Sequence, residues 1–87
     1  MKISEKERAA LIRKGNQFFN EGKIEMADKI FTATNYKDGL IRIGDYYYKK
    51  SQPLRALTYY TRAGFTPRIK EIAEQMVYAL KTWLQEN

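Results

Sequence analysis

Residues 43–50 read IGDYYYKK, so that three consecutive tyrosines stand between a glycine-aspartate pair and two lysines. Aromatic rings interleaved with positive charge are the means by which many single-strand binding proteins stack bases. The same rings could instead pack in a hydrophobic core. Because an α-helix turns by about 100° per residue, Tyr46, Tyr47 and Tyr48 cannot share one face of a helix. The three tyrosines must therefore lie in different environments. The surrounding sequence indicates which of them are buried and which are exposed.

A repeat with an offset of 29 residues runs through the chain without gaps. The same kind of residue recurs at each structurally demanding position. The matched pairs are Gly15 with Gly44, Phe18 with Tyr47, Phe19 with Tyr48, Ala27 with Ala56, Phe31 with Tyr60, Thr32 with Thr61, Asn35 with Gly64, and Tyr36 with Phe65. Since a glycine inside a helix costs about 1 kcal/mol relative to alanine, the matched glycines predict that another helix approaches closely there.

Each repeat reads as two helices joined by a short turn. Ser4 followed by Glu7 has the form of a capping box, and Pro53 suits the first position of a helix. Asn35 and Gly64 readily adopt the left-handed conformation that ends a helix, and an aromatic residue follows each of them, as a Schellman motif favours. We therefore predict one repeat over about residues 4–36 and a second over about residues 37–65.

A last helix is predicted over about residues 66–86, starting at Thr66 and Pro67. Runs of β-branched residues at period two are missing, so no strand is expected. The sequence therefore predicts an all-α fold of five helices in a single domain that covers residues 1–87.

The spacing of the small and aromatic residues resembles the tetratricopeptide repeat over about residues 8–65. The residues that carry the resemblance are Gly15, Phe18, Ala27 and Phe31, then Gly44, Tyr47, Ala56 and Tyr60. The unit of 29 residues is shorter than the family's usual length of about 34, which predicts short second helices. The ending YYTRAG at residues 59–64 is also similar to the related Sel1-type repeats. The resemblance implies a right-handed solenoid of two helix-turn-helix units closed by a C-terminal capping helix.

The resemblance also implies a concave, ligand-binding groove. Its predicted side chains are Asn16, Phe19, Asn20, Asp45, Tyr48 and Lys49. Tyr47 and Tyr60 are expected in the core, whereas Tyr46 and Tyr59 are expected to be more exposed. Asn16 occupies the position at which relatives that grip a chaperone's C-terminal carboxylate carry an asparagine. The lysine that they need one turn earlier is Ile12 here, so no such clamp is expected.

Positive charge is concentrated between residues 42 and 70. This segment has seven basic residues and one acidic residue, and it accounts for the whole net charge of +6. The members that we assign to a basic patch are Arg42, Lys50, Arg55 and Arg62. The segment could steer an acidic partner towards the protein, or it could be an ordinary solvated surface.

The composition excludes most catalytic chemistry. The chain has no cysteine and no histidine, and its ten acidic residues follow no metal-loop spacing and no glycine-rich phosphate loop. We therefore predict a protein that is not an enzyme and needs no cofactor and no metal. The charged N-terminal residues lack the apolar run of a secretory signal, and no stretch is long and apolar enough for a bilayer. A cytoplasmic location without a membrane partner is expected.

Two functions are compatible with these features. The first is a non-enzymatic protein–protein interaction module, an adaptor that presents the groove and the basic second repeat to an acidic or helical protein segment or peptide. The second is a nucleic-acid-binding protein that uses the basic residues between 42 and 70, with Tyr46, Tyr48 or Tyr59 for stacking.

The last helix carries more apolar residues than one neighbouring helix pair can cover. Either Trp83 and its neighbours fold back over the first repeats as an internal cap, which we favour, or they form a docking surface for a partner, a second copy or further repeats. The residues of this predicted assembly surface, through which a homodimer would form, are Met76, Leu80, Trp83 and Leu84.

Overall fold

A computed structural model describes residues 3–86 of the chain. Within these residues the chain forms five α-helices and no strand. The helices are α1 (Glu5–Asn20), α2 (Ile24–Thr34), α3 (Lys37–Lys49), α4 (Pro53–Ala63) and α5 (Thr66–Glu86). The predicted all-α fold class is confirmed. The second helix of each predicted repeat has 11 residues, which agrees with the expectation of short second helices.

The capping box at the start of α1 is confirmed. The Glu7 backbone N–H donates to the Ser4 hydroxyl oxygen over 3.1 Å, and the Ser4 backbone N–H donates to the Glu7 carboxylate over 3.0 Å. The hydrogen bond from the Ser4 backbone holds the pKa of the Glu7 carboxyl below its usual value. Two backbone N–H groups that have no partner within the helix thus each bond to the side chain of the other residue.

The left-handed ends of α2 and α4 are also confirmed. Asn35 has a φ of 49° and Gly64 a φ of 66°. The N–H of the next residue reaches back five positions in both cases, from Tyr36 to the Phe31 carbonyl over 3.0 Å and from Phe65 to the Tyr60 carbonyl over 2.9 Å. The ring centroids of the same two residue pairs lie 5.6 and 5.9 Å apart. Both helices therefore end in a Schellman motif with its hydrophobic contact.

The first helix of each predicted repeat ends in the same way. Gly22 has a φ of 79° after α1, and Ser51 has a φ of 61° after α3. The following N–H groups donate to the carbonyls of Phe18 and Tyr47 over 2.8 and 3.0 Å. The left-handed residues thus form two pairs, Gly22 with Ser51 and Asn35 with Gly64. The members of each pair are 29 residues apart, the same offset as in the sequence repeat.

The core is built where aromatic rings lie against glycines. The fully buried ring of Phe31 on α2 is so close to α1 and α3 that a Cβ atom would lie 2.7 Å from it at Gly15 and 2.5 Å from it at Gly39. Tyr60 on α4 meets Gly44 on α3 in the same way, at 2.7 Å. The predicted close approach at Gly15 and Gly44 is confirmed. The buried apolar residues are Ile24, Ala27, Phe31, Leu40, Ile43, Tyr47, Ala56, Tyr59, Tyr60, Ala63 and Ile72.

Of the four tyrosines assigned to the core or to the surface, three follow the prediction and Tyr59 does not. Tyr47 and Tyr60 are buried, as expected, but Tyr59 is only 7% exposed, so the prediction that it lies near the surface is wrong. Its ring stacks on Tyr47 with centroids 5.6 Å apart, and its hydroxyl donates to the Asp28 carboxylate of α2 over 2.7 Å. Burial, followed by the hydrogen bond to Asp28, raises the pKa of Tyr59 to about 12.

The C-terminal half of α5 extends beyond the rest of the fold. Ile72 is buried and Ile69 is half-buried, but every residue from Ala73 to Glu86 is exposed. The prediction that the end of this helix folds back as an internal cap is therefore wrong. The reason is length, since α5 has 21 residues and α4 has 11, so that α5 outruns its neighbour by about 15 Å. The molecule measures 56 × 24 × 19 Å along its principal axes.

Within residues 3–86, even α5 lacks the combination of length and apolarity that a bilayer-crossing helix needs.

Candidate functional site

A shallow pocket lies between the C-terminal end of α1 and the middle of α3. It has a volume of about 270 Å³ and is lined by Phe19, Arg42, Asp45, Tyr46 and Lys49. Three of these residues, Phe19, Asp45 and Lys49, belong to the groove predicted from the sequence. Helices α2 and α4 supply no lining residue to this pocket.

Arg42 organises the α1 side of the pocket. Its Nη1 donates to Asn16 Oδ1 over 2.7 Å and its Nη2 donates to Asn20 Oδ1 over 3.3 Å. The guanidinium carbon lies 4.6 Å from the centroid of the Phe19 ring. The structure therefore brings the predicted groove residues of α1 together around Arg42, which the sequence placed in the basic patch.

Asp45 joins the pocket to α4 and α5. Its Oδ1 accepts a hydrogen bond of 2.5 Å from the Tyr60 hydroxyl and lies 3.9 Å from the Arg68 guanidinium of α5. Burial, and next the hydrogen bond to Asp45, raises the pKa of Tyr60. Asp45 is therefore already engaged within the fold, which leaves the cationic groups as the more available charges of the pocket.

Tyr48 lies outside the pocket and connects α3 with α5. Its hydroxyl donates to Glu71 Oε1 over 3.2 Å and accepts from Gln75 Nε2 over 2.9 Å. The Arg68 guanidinium lies 4.4 Å from its ring centroid and pairs with Glu71 over 3.0 Å. The predicted groove thus divides into an α1–α3 part and an α3–α5 part.

The sequence analysis did not identify the residues of α5 that belong to the α3–α5 part of the groove. Arg68, Glu71 and Gln75 are spaced so that they lie on one face of α5. This spacing was available as a signal. It did not identify their partner, because the Tyr48 hydroxyl comes from an element more than 20 residues earlier.

The predicted basic patch does not form one surface. Arg42 reaches α1, whereas Arg62 on α4 reaches α2 and donates to the Thr32 hydroxyl over 3.4 Å. Each of the four basic side chains lies over an aromatic ring of the chain itself. The distances to the ring centroids are 4.6 Å from Arg42 to Phe19, 4.9 Å from Lys50 to Tyr46, 4.1 Å from Arg55 to Tyr47 and 5.7 Å from Arg62 to Tyr59.

The predicted assembly surface lies on the exposed half of α5. Its four members are large apolar side chains between 44% and 64% exposed, namely Met76, Leu80, Trp83 and Leu84. Beside them is a shallow apolar depression of about 350 Å³, lined by Lys70, Ala73, Glu74, Val77, Tyr78 and Lys81.

Among residues 3–86, no group of three or more acidic side chains is arranged to hold a metal ion.

These features define a small all-helical protein with an interhelical pocket and a projecting C-terminal helix. The chain is 40% identical over 74 residues to an uncharacterized protein of Treponema pallidum (strain Nichols), and the alignment covers 85% of this chain and 71% of that protein. This chain belongs to the same family as the Treponema pallidum protein. No protein-family model matches the chain, and no solved structure matches it significantly.

Proposed function

We propose that this protein is a non-enzymatic interaction module of tetratricopeptide-like or Sel1-like architecture. In this proposal α1–α2 and α3–α4 are two repeats of a short right-handed solenoid, and α5 closes it. Two kinds of feature that recur at the 29-residue offset support this architecture. The glycine–aromatic contacts of Gly15 with Phe31 and of Gly44 with Tyr60 match, and so do the four helix ends. Stacked helical repeats commonly present extended binding surfaces to protein partners.

The pocket between α1 and α3 is the proposed binding site. The main support is that the positive charge of Arg42 has no carboxylate partner among the described residues. Arg42 is half-buried, and its hydrogen bonds go to the neutral amides of Asn16 and Asn20. No carboxylate within residues 3–86 forms an ion pair with it. A guanidinium has five N–H donors, so several remain for an incoming acceptor.

The partner that fits this pocket is an acidic protein segment or peptide. Lys49 is exposed at the pocket and adds a second positive charge to that of Arg42. The Phe19 and Tyr46 rings offer apolar surface beside these charges. A carboxylate with a neighbouring apolar side chain, as an amphipathic helix presents, would satisfy both parts of the pocket.

The experiment is a selection of peptides from a random library against the intact chain, followed by titration of the strongest binder. We expect Lys49→Ala to weaken binding about 3- to 10-fold, because it removes a charge at the rim of the pocket. Lys29→Ala is the matched control. It removes the same charge from an exposed lysine that lines a different pocket, with Asp28 and Arg62, and should leave affinity unchanged.

The nucleic-acid alternative has weaker support. Single-strand binding proteins combine a continuous basic groove with rings on which bases stack. Here Tyr59 is buried, and the Lys50 and Arg68 cations lie over the rings of Tyr46 and Tyr48. A chain that selects no peptide and instead binds single-stranded RNA, with an affinity that falls steeply as salt is added, would reverse this preference. The cytoplasmic location and the absence of enzymatic activity stay predictions.

A further inference from the structure

An apolar seam runs along the exposed half of α5. Its members, at alternating spacings of four and three residues, are Ala73, Val77, Leu80 and Leu84. Side chains with this spacing lie along one face of a helix and form the contact line of paired helices. All four are exposed, whereas the buried contact of α5 with its own fold is made by Ile72 on a different side of the helix. The seam is thus available to a second helix.

The charges beside the seam indicate which charges the second helix should carry. Glu74 and Lys81 lie along the same edge of the seam, seven residues apart, and both line the depression of about 350 Å³. A helix that pairs with this edge should carry a lysine opposite Glu74 and a glutamate opposite Lys81. An antiparallel copy of α5 has this order of charges.

We propose that α5 pairs with α5 of a second copy in an antiparallel, two-fold arrangement. Val77 then lies opposite the other copy's Leu80, and Ala73 lies opposite its Leu84. The same register places Glu74 beside the other copy's Lys81, and by symmetry this ion pair forms twice. A parallel pair would bring each of these charges beside an apolar residue instead, so the charges select the antiparallel arrangement.

The opposite edge of the seam agrees with the same register. Met76 and Trp83 lie along it, again seven residues apart, and are 44% and 61% exposed. Antiparallel pairing places Met76 beside the Trp83 of the other copy, where sulfur and ring make a favourable contact. All four residues of the predicted assembly surface therefore lie within the interface.

The arrangement leaves room for both folded bodies. The register that sets Val77 opposite Leu80 also sets residue 86 level with residue 71 of the other copy, so the two bodies lie at opposite ends of the helix pair. One helix pair buries less surface than the roughly 1,600 Å² of a standard stable interface. The dimer should therefore be reversible and should dissociate on dilution.

The experiment measures the mass of the full chain by light scattering over a wide dilution series, with two charge variants. The unmodified chain should approach twice its mass of 10.3 kDa at high concentration and return to that mass on dilution. Glu74→Lys and Lys81→Glu each place like charges in both ion pairs, so each variant should remain a single chain where the unmodified protein is dimeric. An equimolar mixture of the two variants should recover the doubled mass, because every pair between unlike copies is again a lysine with a glutamate.

Thr82→Lys is the control, because this exposed residue lies on the face of α5 away from the seam and its charge should leave the mass unchanged. Circular dichroism on every variant checks that the helices persist. A parent chain with a single-chain mass at every concentration would overturn the proposal. So would charge variants that dimerise as the parent does, or a mixture that stays monomeric.

Discussion

At the scale of single residues, glycines let the aromatic rings of neighbouring helices pack directly against the helix backbone. Gly44 lets α3 approach the Tyr60 ring so closely that an added Cβ atom would lie 2.7 Å from it. The ring cannot easily retreat, since it is fully buried and its hydroxyl is held by Asp45. The glycine thus sets the distance between the two helices of the second pair.

Gly44→Ala should therefore lower the free energy of unfolding by about 1–2 kcal/mol, because overpacking outweighs the gain in helix propensity. Chemical denaturation measures the change. The same substitution in a Tyr60→Leu background is the control, because the smaller side chain leaves space for the new methyl group. If Gly44→Ala costs as much there as in the unmodified chain, the contact with the ring is not the cause.

The tyrosine hydroxyls bonded to carboxylates predict a loss of stability in strong alkali. Tyr59 has a pKa raised from 10.0 to about 12, so above pH 10 the unfolded chain gives up this proton more readily than the folded chain does. The contribution of Tyr59 is fully present below pH 10 and is lost as the pH rises through 12. Unfolding measured across this range should show a shallower decline for Tyr59→Phe than for the unmodified chain. An unchanged decline would mean that the hydroxyl ionises equally easily in both states.

At the scale of elements, α5 consists of two halves with different roles. Its first two turns pack on the rest of the fold through Ile69 and Ile72, and Gln75 still reaches Tyr48. The residues that follow are exposed and add little to the core.

A chain that lacks residues 76–87 should therefore keep its free energy of unfolding to within about 1 kcal/mol, whereas Ile72→Ala should cost about 2–4 kcal/mol. Both values come from denaturant titration of protein dilute enough to be a single chain. A truncated chain that unfolds as easily as the Ile72→Ala variant would show that the projecting half supports the core.

Much of each element could be predicted from the sequence, because the signals are local. The capping box at Ser4 and the left-handed ends at Asn35 and Gly64 depend on residues within one turn of the helix end. The left-handed conformation of Ser51 was not predicted, since serine has no special preference for it and only the match with Gly22 indicates it.

The rest depended on contacts between distant elements. Tyr59 can be buried because the carboxylate of Asp28, 31 residues earlier, accepts a hydrogen bond from its hydroxyl. Arg42 belongs to the pocket because its long side chain crosses from α3 to α1, which a one-dimensional count of basic residues does not reveal. The exposed end of α5 follows from the shorter length of α4 beside it, so it becomes visible only when the helices are placed together.

At the scale of the whole molecule, binding between α1 and α3 and pairing through α5 together predict a dimer with two binding sites. If each chain offers one pocket between α1 and α3, antiparallel pairing through α5 holds two such pockets at opposite ends of one dimer. A partner with two copies of the recognised segment would then bind more tightly than a single segment does, without any new contact. The loss of this gain in the Glu74→Lys variant, with the affinity for a single segment unchanged, would separate the pairing of α5 from the binding in the pocket.

The most direct test of binding between α1 and α3 is a nuclear magnetic resonance titration of the isotope-labelled chain with a selected acidic peptide. We predict that the largest shift changes occur at Asn16, Phe19, Arg42 and Lys49, with small changes on α2. Largest changes at Thr32 and Arg62, or confined to α5 beyond residue 73, would contradict a binding site in this pocket.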